Sequence, residues 1–368
     1  MLRIAWWAAI TLLIVESCAN KPVASLEAAG SFVITLPKSL VNSEYHSIIP
    51  GYWNTPRGVD TVLYLFGADA DSVWMYRYPN PEPVKQVCLS NPRWAEITST
   101  YFDREAQCLY AYDHHLQRLY RLDSDLRIVR VDTLTELFDT VGVRYSVADE
   151  VCVSRDVVTC NVECNVEFPL GRQKPCLAQY DLKRRRWRFV HSYPREIRED
   201  TGRSFLRPIL SDIVSPENIV HFRYAFSDSI YVLRQDGSVV PVAKSVDPNV
   251  NFHSKLPDPP PSSYSLWLTE PYIVYYNYIR PTETHVSVLS KGQPLRSKDG
   301  RVASDELSRY SLIVTKEGEI SVVDLPDDHK GLSPCPLVLG DKMAFVRRSR
   351  KDKQEGRMTF AMYRIAMK

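Results

Sequence analysis

The segment Tyr101–Asp123 places two short apolar runs, Cys108–Tyr112 and Arg118–Leu122, on either side of the polar stretch Asp113–Gln117. Alternating apolar residues around a polar turn are the pattern of a β-hairpin. Weaker copies recur along the chain. Val62–Phe66 precedes Ser72–Tyr76, Val157–Val166 precedes Cys176–Leu182, and Ile219–Tyr224 precedes Ser229–Leu233. Further on, Tyr272–Tyr276 precedes His285–Leu289, Leu312–Thr315 precedes Ile320–Asp324, and Met343–Val346 precedes Thr359–Ile365. The hairpins follow one another at roughly 35–60 residues, and a period of about 45 marks a propeller blade or a comparable array.

The strand chemistry points the same way. Leu109–Tyr112 and Tyr272–Tyr276 carry apolar or aromatic groups at consecutive positions, where a strand with one wet face would alternate with polar ones. In a propeller each blade lies between two others, so its inner strands meet no water on either face. The fold expected is all-β, a β-propeller of six to seven four-stranded blades, six if the two closest hairpins share a blade. Helix is expected only as a turn or two near Asp132–Phe138. The repeats extend without a break, so residues 31–368 read as one domain, with Pro257–Ser263 as an inter-blade loop rather than a linker. Ser31–Leu36 is placed to pair with the last blade and close the ring, removing an exposed sheet edge.

The first residues read as an address. Arg3 is followed by the apolar run Ile4–Val15, which at about 12 residues is too short to span a bilayer and suits a signal-peptide core. Val15-Glu16-Ser17-Cys18 resembles the bacterial lipoprotein box, in which the cysteine thiol is acylated and becomes the mature N-terminus. The expected organisation is a signal peptide over 1–17, a tether over 18–30 and the propeller beyond, with an ordinary secretory signal as the competing reading. Residues 19–25 hold no acidic cluster, which favours an outer-membrane anchor facing the periplasm over surface display.

Eight cysteines in an exported chain invite disulfides, but lipidation of Cys18 leaves an odd number. Cys160 and Cys164 sit on one face of a strand, roughly 13 Å apart, too far for a bond that needs Cα atoms within about 7 Å. Three readings stay open: buried thiols, a cross-strand disulfide of Cys160 or Cys164 with Cys176, or a zinc site. The net charge of +2 gives no global field that would draw nucleic acid, and none is expected as a partner. Two basic runs stand out, Lys183–Arg188 and Arg347–Lys353, each where an outer turn would fall. Arg184, Arg185 and Arg186 are either solvated turn residues or a contact for phosphate-bearing head groups or an acidic glycan. His114 and His115 are adjacent on a turn and diverge, so they read as structural. No nucleophile elbow, phosphate-cradling loop or zinc-protease helix occurs, and no catalytic residue or cofactor is assigned.

The combination resembles a family of propeller lipoproteins of Bacteroidota, of unknown function, within the NHL/TolB-like propeller superfamily. The resemblance rests on Val15–Cys18, Leu63–Gly67 with Ser72–Tyr76, Leu109–Asp123, Gln179–Phe189 leading to Ser192–Pro194, and Phe226–Val232. It implies an envelope lipoprotein and transfers no catalytic residue.

Two functions remain open. One is a monomeric binding or scaffold module for an envelope protein or glycan, with Tyr45, Tyr52, Trp53, Tyr193 and Tyr278 as candidate loop platforms. The other is a metal-dependent propeller hydrolase or lyase acting on sugar-derived substrates. It would need convergence of carboxylates such as Asp103, Asp149, Glu150, Asp212 and Asp228 on the axis.

Overall fold

The computed structural model describes residues 24–41, 46–67, 72–89, 97–139, 141–164, 174–195, 198, 208–211, 219–244, 271–280, 282–290, 310–325, 335–347 and 350–367. They form a six-bladed β-propeller. The first strand, β1 (Ala24–Thr35), belongs to the last blade. Blade 1 holds β2 (His46–Thr55), β3 (Gly58–Gly67), β4 (Ser72–Arg77) and β5 (Pro83–Cys88). Blade 2 holds β6 (Ile97–Asp103), β7 (Cys108–Asp113), β8 (Arg118–Leu122) and β9 (Ile128–Thr133). Blade 3 adds the short β10 (Leu137–Phe138) to β11 (Arg144–Ser154), β12 (Val157–Cys164), β13 (Pro175–Asp181) and β14 (Arg186–Ser192).

Blade 4 holds β15 (Pro208–Leu210), β16 (Val220–Tyr224), β17 (Ser229–Leu233) and β18 (Val239–Lys244). Blade 5 holds β19 (Tyr272–Ile279), β20 (Thr284–Ser290), β21 (Tyr310–Lys316) and β22 (Glu319–Asp324). Blade 6 is β23 (Leu337–Leu339), β24 (Lys342–Arg347) and β25 (Arg357–Met367), with β1 as its outer strand. The blade count is six because the hairpins at Tyr272 and Leu312 are two halves of blade 5, joined by the β20–β21 pairing of Val286 with Val314.

Middle strands are buried on both faces, as the apolar runs require. Every residue of β7 and of β16 is buried. Outer strands alternate instead, and β9 exposes Val129 and Val131 beside half-buried Arg130 and Asp132. The apolar material lies in separate clusters between neighbouring blades. One gathers Tyr112, Val153, Cys160, Tyr180, Phe222 and Tyr224 of blades 2, 3 and 4. The strands next to the axis, β2, β6, β11, β15 and β19, touch in that order, and β23 touches β2.

Three expected elements differ. The helical turn near Asp132–Phe138 is the end of β9 followed by β10, whose Leu137 pairs with Tyr145 of β11; that pairing gives the segment a sheet edge to join. The closing strand begins at Ala24 rather than Ser31, so part of the stretch read as tether is sheet. The second basic run lies partly in α1 (Arg350–Gln354), a single turn between β24 and β25, and not in an outer hairpin. Residues 1–23, with Cys18, and residues 257–263 lie outside the described residues.

Closure runs the full length of β1. Ala24 pairs with Met367 and Thr35 with Arg357, with one irregularity between Ala28 and Gly30. Gly30 has a φ of +108°, which a side chain would resist, and so absorbs that bulge. Beyond it Phe32 and Phe360, directly opposed, stack at 4.5 Å. Gly51 of β2 marks a second close approach, since a Cβ there would fall 2.5 Å from Tyr64 Cε2. Phe360 is fully buried in the closing blade. Phe360→Ala is expected to lose about 3–5 kcal/mol of unfolding free energy, read as a lower denaturant midpoint with an unchanged slope.

Candidate functional site

One cavity receives residues from the axial strand region of all six blades. It has a volume of about 290 Å³, and its wall includes Ile48, Thr100, Glu150, Ser211, Tyr275 and Leu337. Three of its polar side chains, Ser99, Glu150 and Ser211, are engaged with main chain of the following blade. Ser99 Oγ of blade 2 accepts from Val151 N–H of blade 3 at 3.0 Å. Glu150 Oε2 of blade 3 accepts from Leu210 N–H of blade 4 at 2.8 Å and from Asn161 Nδ2 at 3.2 Å. Ser211 Oγ, just past β15, accepts from Tyr278 N–H of blade 5 at 2.9 Å. The channel therefore carries a relay of cross-blade hydrogen bonds over blades 2 to 5.

Of the other candidate carboxylates, Asp103 and Asp228 do not join Glu150. Asp103 Oδ1 accepts from the N–H groups of Glu105 and Ala106, both at 3.0 Å, and closes the β6–β7 turn. Burial pushes the Asp103 carboxyl up against the pull of those two N–H groups. Asp228 Oδ1 accepts from Ser229 Oγ at 2.9 Å in the β16–β17 turn. Asp212 and the side chain of Asp149 lie outside the described residues. Among the described residues no three His, Cys, Asp or Glu groups come together as a metal site.

His114 and His115 sit in a turn of the same construction as Asp103's. Asp113 Oδ1 accepts from Leu116 N–H at 2.9 Å, and Gln117 Nε2 donates to His114 O at 2.6 Å. The turn ends on Gln117 with a φ of +51°, as the Asp103 turn ends on Gln107 at +50°. Both histidines border a cleft of about 630 Å³ between blades 2 and 3, with Glu136, Arg144 and Trp187 on its wall.

The described cysteines agree with the thiol reading, one of those left open. Among the described residues no disulfide joins Cys160, Cys164 and Cys176, or Cys88, Cys108, Cys152 and Cys335. Register explains it. Cys160 lies opposite Val151 and Ala178, and Cys164 opposite Tyr145, so neither faces another cysteine. The Cys160 thiol points at Ala178 O (3.8 Å), whereas that of Cys176 meets Tyr224 Oη of blade 4 (3.5 Å). Burial pushes the Cys176 thiol up to about 12, leaving it protonated and unreactive.

Of the aromatics expected in loops, Tyr45 lies outside the described residues, Tyr52 and Trp53 lie in β2 and Tyr278 in β19, only Tyr193 lies outside a strand, and all four described ones pack. Tyr52 rests on Phe102 at 5.9 Å, and Trp53 lies against Lys85 while its Nε1 donates to Asp125 at 3.1 Å. Tyr193 packs on Tyr224 at 5.9 Å, and Tyr278 stacks on His221 at 4.3 Å.

That last stack belongs to a polar seam between blades 4 and 5, which the strand pattern of the sequence did not disclose. The apolar cluster here has only Ile273, Leu289 and Ile313 at its centre. The remainder is filled by Arg223, fully buried, whose Nη1 donates to Ser287 Oγ at 3.0 Å and whose Nε and Nη2 donate to Ser227 O at 3.1 and 2.9 Å. Tyr276 Oη and His285 Nδ1 share a short hydrogen bond beside it. Desolvation pulls Arg223 down to about 10, while desolvation and then the Arg223 charge pull His285 down to about 4.

The basic turn joins β13 to β14. Asp181 Oδ1 accepts from the N–H groups of Lys183 and Arg184, at 2.9 and 2.8 Å. Lys183 Nζ pairs with Asp156 at 2.8 Å, and Arg184 Nε lies 3.9 Å from Asp181. Arg185 and Arg186 are exposed and make no ion pair among the described residues.

With this geometry the chain is similar to two solved structures. A member of the DUF4221 family from Bacteroides vulgatus superposes with a TM-score of 0.66 at 10% identity, over 95% of this chain and 100% of that one. A protein from Bacteroides fragilis, described as exported, superposes with a TM-score of 0.53 at 10% identity, over 93% of this chain and 95% of that one. At such identity the likeness shows the fold. No family model matches the sequence, and no curated protein matches it.

Two measurements follow from the relay and the seam. Glu150→Ala strips an acceptor from the Leu210 amide, and denaturant unfolding should show a loss of about 1–3 kcal/mol, with Glu150→Gln losing less. His191, packed among Phe222, Tyr224 and Tyr231, is likewise pulled by burial from 6.5 to about 4. Both His191 and His285 are neutral when folded, so their contribution is complete above pH 6.5 and is lost as pH falls toward about 4. Unfolding free energy should fall by on the order of 2–3 kcal/mol per ring across that window, and His191→Phe should flatten its share.

Proposed function

We propose that the chain is an exported, lipid-anchored propeller that serves as a binding or scaffold module for an envelope protein or glycan. The observation that carries this reading is the axial relay. Glu150, the described carboxylate on the channel wall, already holds two donors, so the centre of the ring ties blades together. Recognition on such a rigid ring falls to its faces and inter-blade clefts, where loops and turns are displayed. The sequence Val15–Cys18 supports acylation of Cys18 and an anchor in the outer membrane facing the periplasm, and likeness in fold to an exported Bacteroides protein is consistent with it. The competing hydrolase or lyase would need several carboxylates at one point on the axis. Asp103 and Asp228, occupied in turns, do not supply them.

Fractionation of native envelopes, followed by crosslinked affinity purification, tests the reading. The tagged chain is expected in the membrane fraction with one stoichiometric partner or glycan, and Cys18→Ala is expected to move it to the soluble fraction. Membrane retention of Cys18→Ala would refute the anchor. Turnover of a sugar lactone or uronate by the purified protein, abolished by a chelator, would refute the non-enzymatic reading.

A further inference from the structure

On the face that carries the basic turn, blades 3 and 4 enclose a cleft of about 270 Å³. Its polar wall is Ser154, Arg155, Thr159, Gln179, Arg188 and Gln235, with Val157 and Val220 as apolar patches. Arg188 is the group that gives it a sign. Its Nε donates to Gln179 Oε1 at 2.9 Å, Nη2 donates to the same oxygen, and Nη2 donates to Gln235 O at 3.0 Å. All of these acceptors are neutral. Gln179 is itself fixed, since its Nε2 donates to Thr159 Oγ1 at 3.1 Å and both residues are buried. The guanidinium is thus held in one orientation by amide and main-chain oxygens, with Nη1 left over and no carboxylate to neutralise it among the described residues.

The acidic groups of this face are engaged elsewhere. Glu105 pairs with Arg155 at 3.3 Å, Asp156 with Lys183 at 2.8 Å, and Asp181 caps the basic turn beside Arg184. Asp236 accepts from Ser238 N–H and Oγ in the opposite turn, where the neighbouring Arg234 also helps hold its carboxyl low. Unpaired among the described residues are Arg188 in the cleft and, just before it along the chain, Arg185 and Arg186. Arg186 and Arg188 fall on one face of β14, roughly 7 Å apart.

We infer that this cleft binds one acidic sugar unit, a hydroxylated carboxylate of the uronate kind, and that Arg185 and Arg186 meet the carboxylates of neighbouring units in an acidic glycan. The inference rests on the binding-module reading and names its ligand class. A guanidinium held by neutral acceptors is suited to a carboxylate, because the charge-assisted hydrogen bond is not in competition with an internal ion pair. Ser154, Thr159 and Gln235 supply the hydroxyl, amide and carbonyl partners that a polyhydroxylated ring requires, and Val157 and Val220 face its C–H surface. A bare phosphate would leave most of that wall without a use. The volume lies just below the usual range for small-ligand pockets of about 300–1,000 Å³, which suits one unit rather than an enclosed chain.

Calorimetric titration of the purified full chain with trigalacturonate, and with maltotriose as the neutral control, tests it. Trigalacturonate is expected to bind with an affinity that falls as salt rises, and maltotriose is not expected to bind. Arg188→Gln should weaken binding by about tenfold or more, the loss expected of one charge-assisted contact. Arg188→Lys, which keeps the charge without the fork, should weaken it less. The paired change Arg185→Ser and Arg186→Ser should reduce mainly the salt dependence. Thermal melts check that each variant remains folded, as exposure of Arg188 at the cleft leads one to expect. Failure of trigalacturonate to bind, or equal binding by Arg188→Gln, overturns the inference. So does binding to phosphatidylglycerol vesicles without binding to trigalacturonate, which would make lipid head groups the anionic source. An envelope partner captured equally by wild type and Arg188→Gln would overturn the site while leaving the binding-module reading in place.

Discussion

The antiparallel pairing of β1 with β25 joins the first described residues of the chain to its last strand, and the ring exists only while that pairing holds. Each blade presents large apolar faces that no single blade can cover. Burial of those faces requires neighbours on both sides, and the first and sixth blades become neighbours only through closure. The contact combines backbone pairing along β1, the Phe32–Phe360 stack and the shared apolar cluster of blades 6 and 1. A bulge at Gly30 lets one long strand follow a curved blade edge, and the same pairing removes an open sheet edge.

Within the closed ring, blades are held together by two kinds of matter. Most interfaces are apolar, with Tyr, Val, Leu and Phe from facing sheets interdigitated. The interface of blades 4 and 5 depends instead on Arg223, Tyr276, His285 and Ser287, groups that stabilise only when all are satisfied and oriented. Near the axis, Ser99, Glu150 and Ser211 each reach to the next blade's backbone. These polar links specify which blade follows which at a defined height, a directional constraint that packing alone does not supply. They also explain why an ionisable group on the axis is a weak guide to chemistry here: Glu150 Oε2 already accepts from two donors of the scaffold.

The turns show where reading the chain succeeded and where it misjudged purpose. Asp103, Asp113, Asp139, Asp181 and Asp236 all cap the first N–H groups of a turn with a side-chain oxygen. In the Asp103, Asp113 and Asp181 turns a residue four places later, Gln107, Gln117 or Arg185, takes positive φ. Aspartate at a turn start is a local signal, so the recurring hairpins were legible. The same locality means that Asp103 could be taken for a ligand by its type, although its oxygen was already committed to the turn. The His114–His115 pair fits its structural reading, since it occupies the middle of such a turn. The cysteines fell on the other side. Sequence placed Cys160 and Cys164 on one strand face, but the partner of Cys176 comes from another blade, and packing of blade 4 on blade 3 put Tyr224 there.

By itself, the sequence determined the all-β character, the hairpin period, the basic turn at Lys183–Arg188 and the candidate lipidation signal ending at Cys18. Each of these is written in neighbouring residues, through period-two burial, turn chemistry and charge adjacency. Tertiary structure decided that the count is six, because only pairing between β20 and β21 shows that two hairpins make one blade. It decided as well that Arg188 bonds Gln179, itself held by Thr159, and Gln235, with no acid paired to it among the described residues, while Lys183 is paired with Asp156. Those residues come from different strands and two blades. Whether a charge is neutralised depends on distance through space, and separation along the chain carries almost no information about that distance.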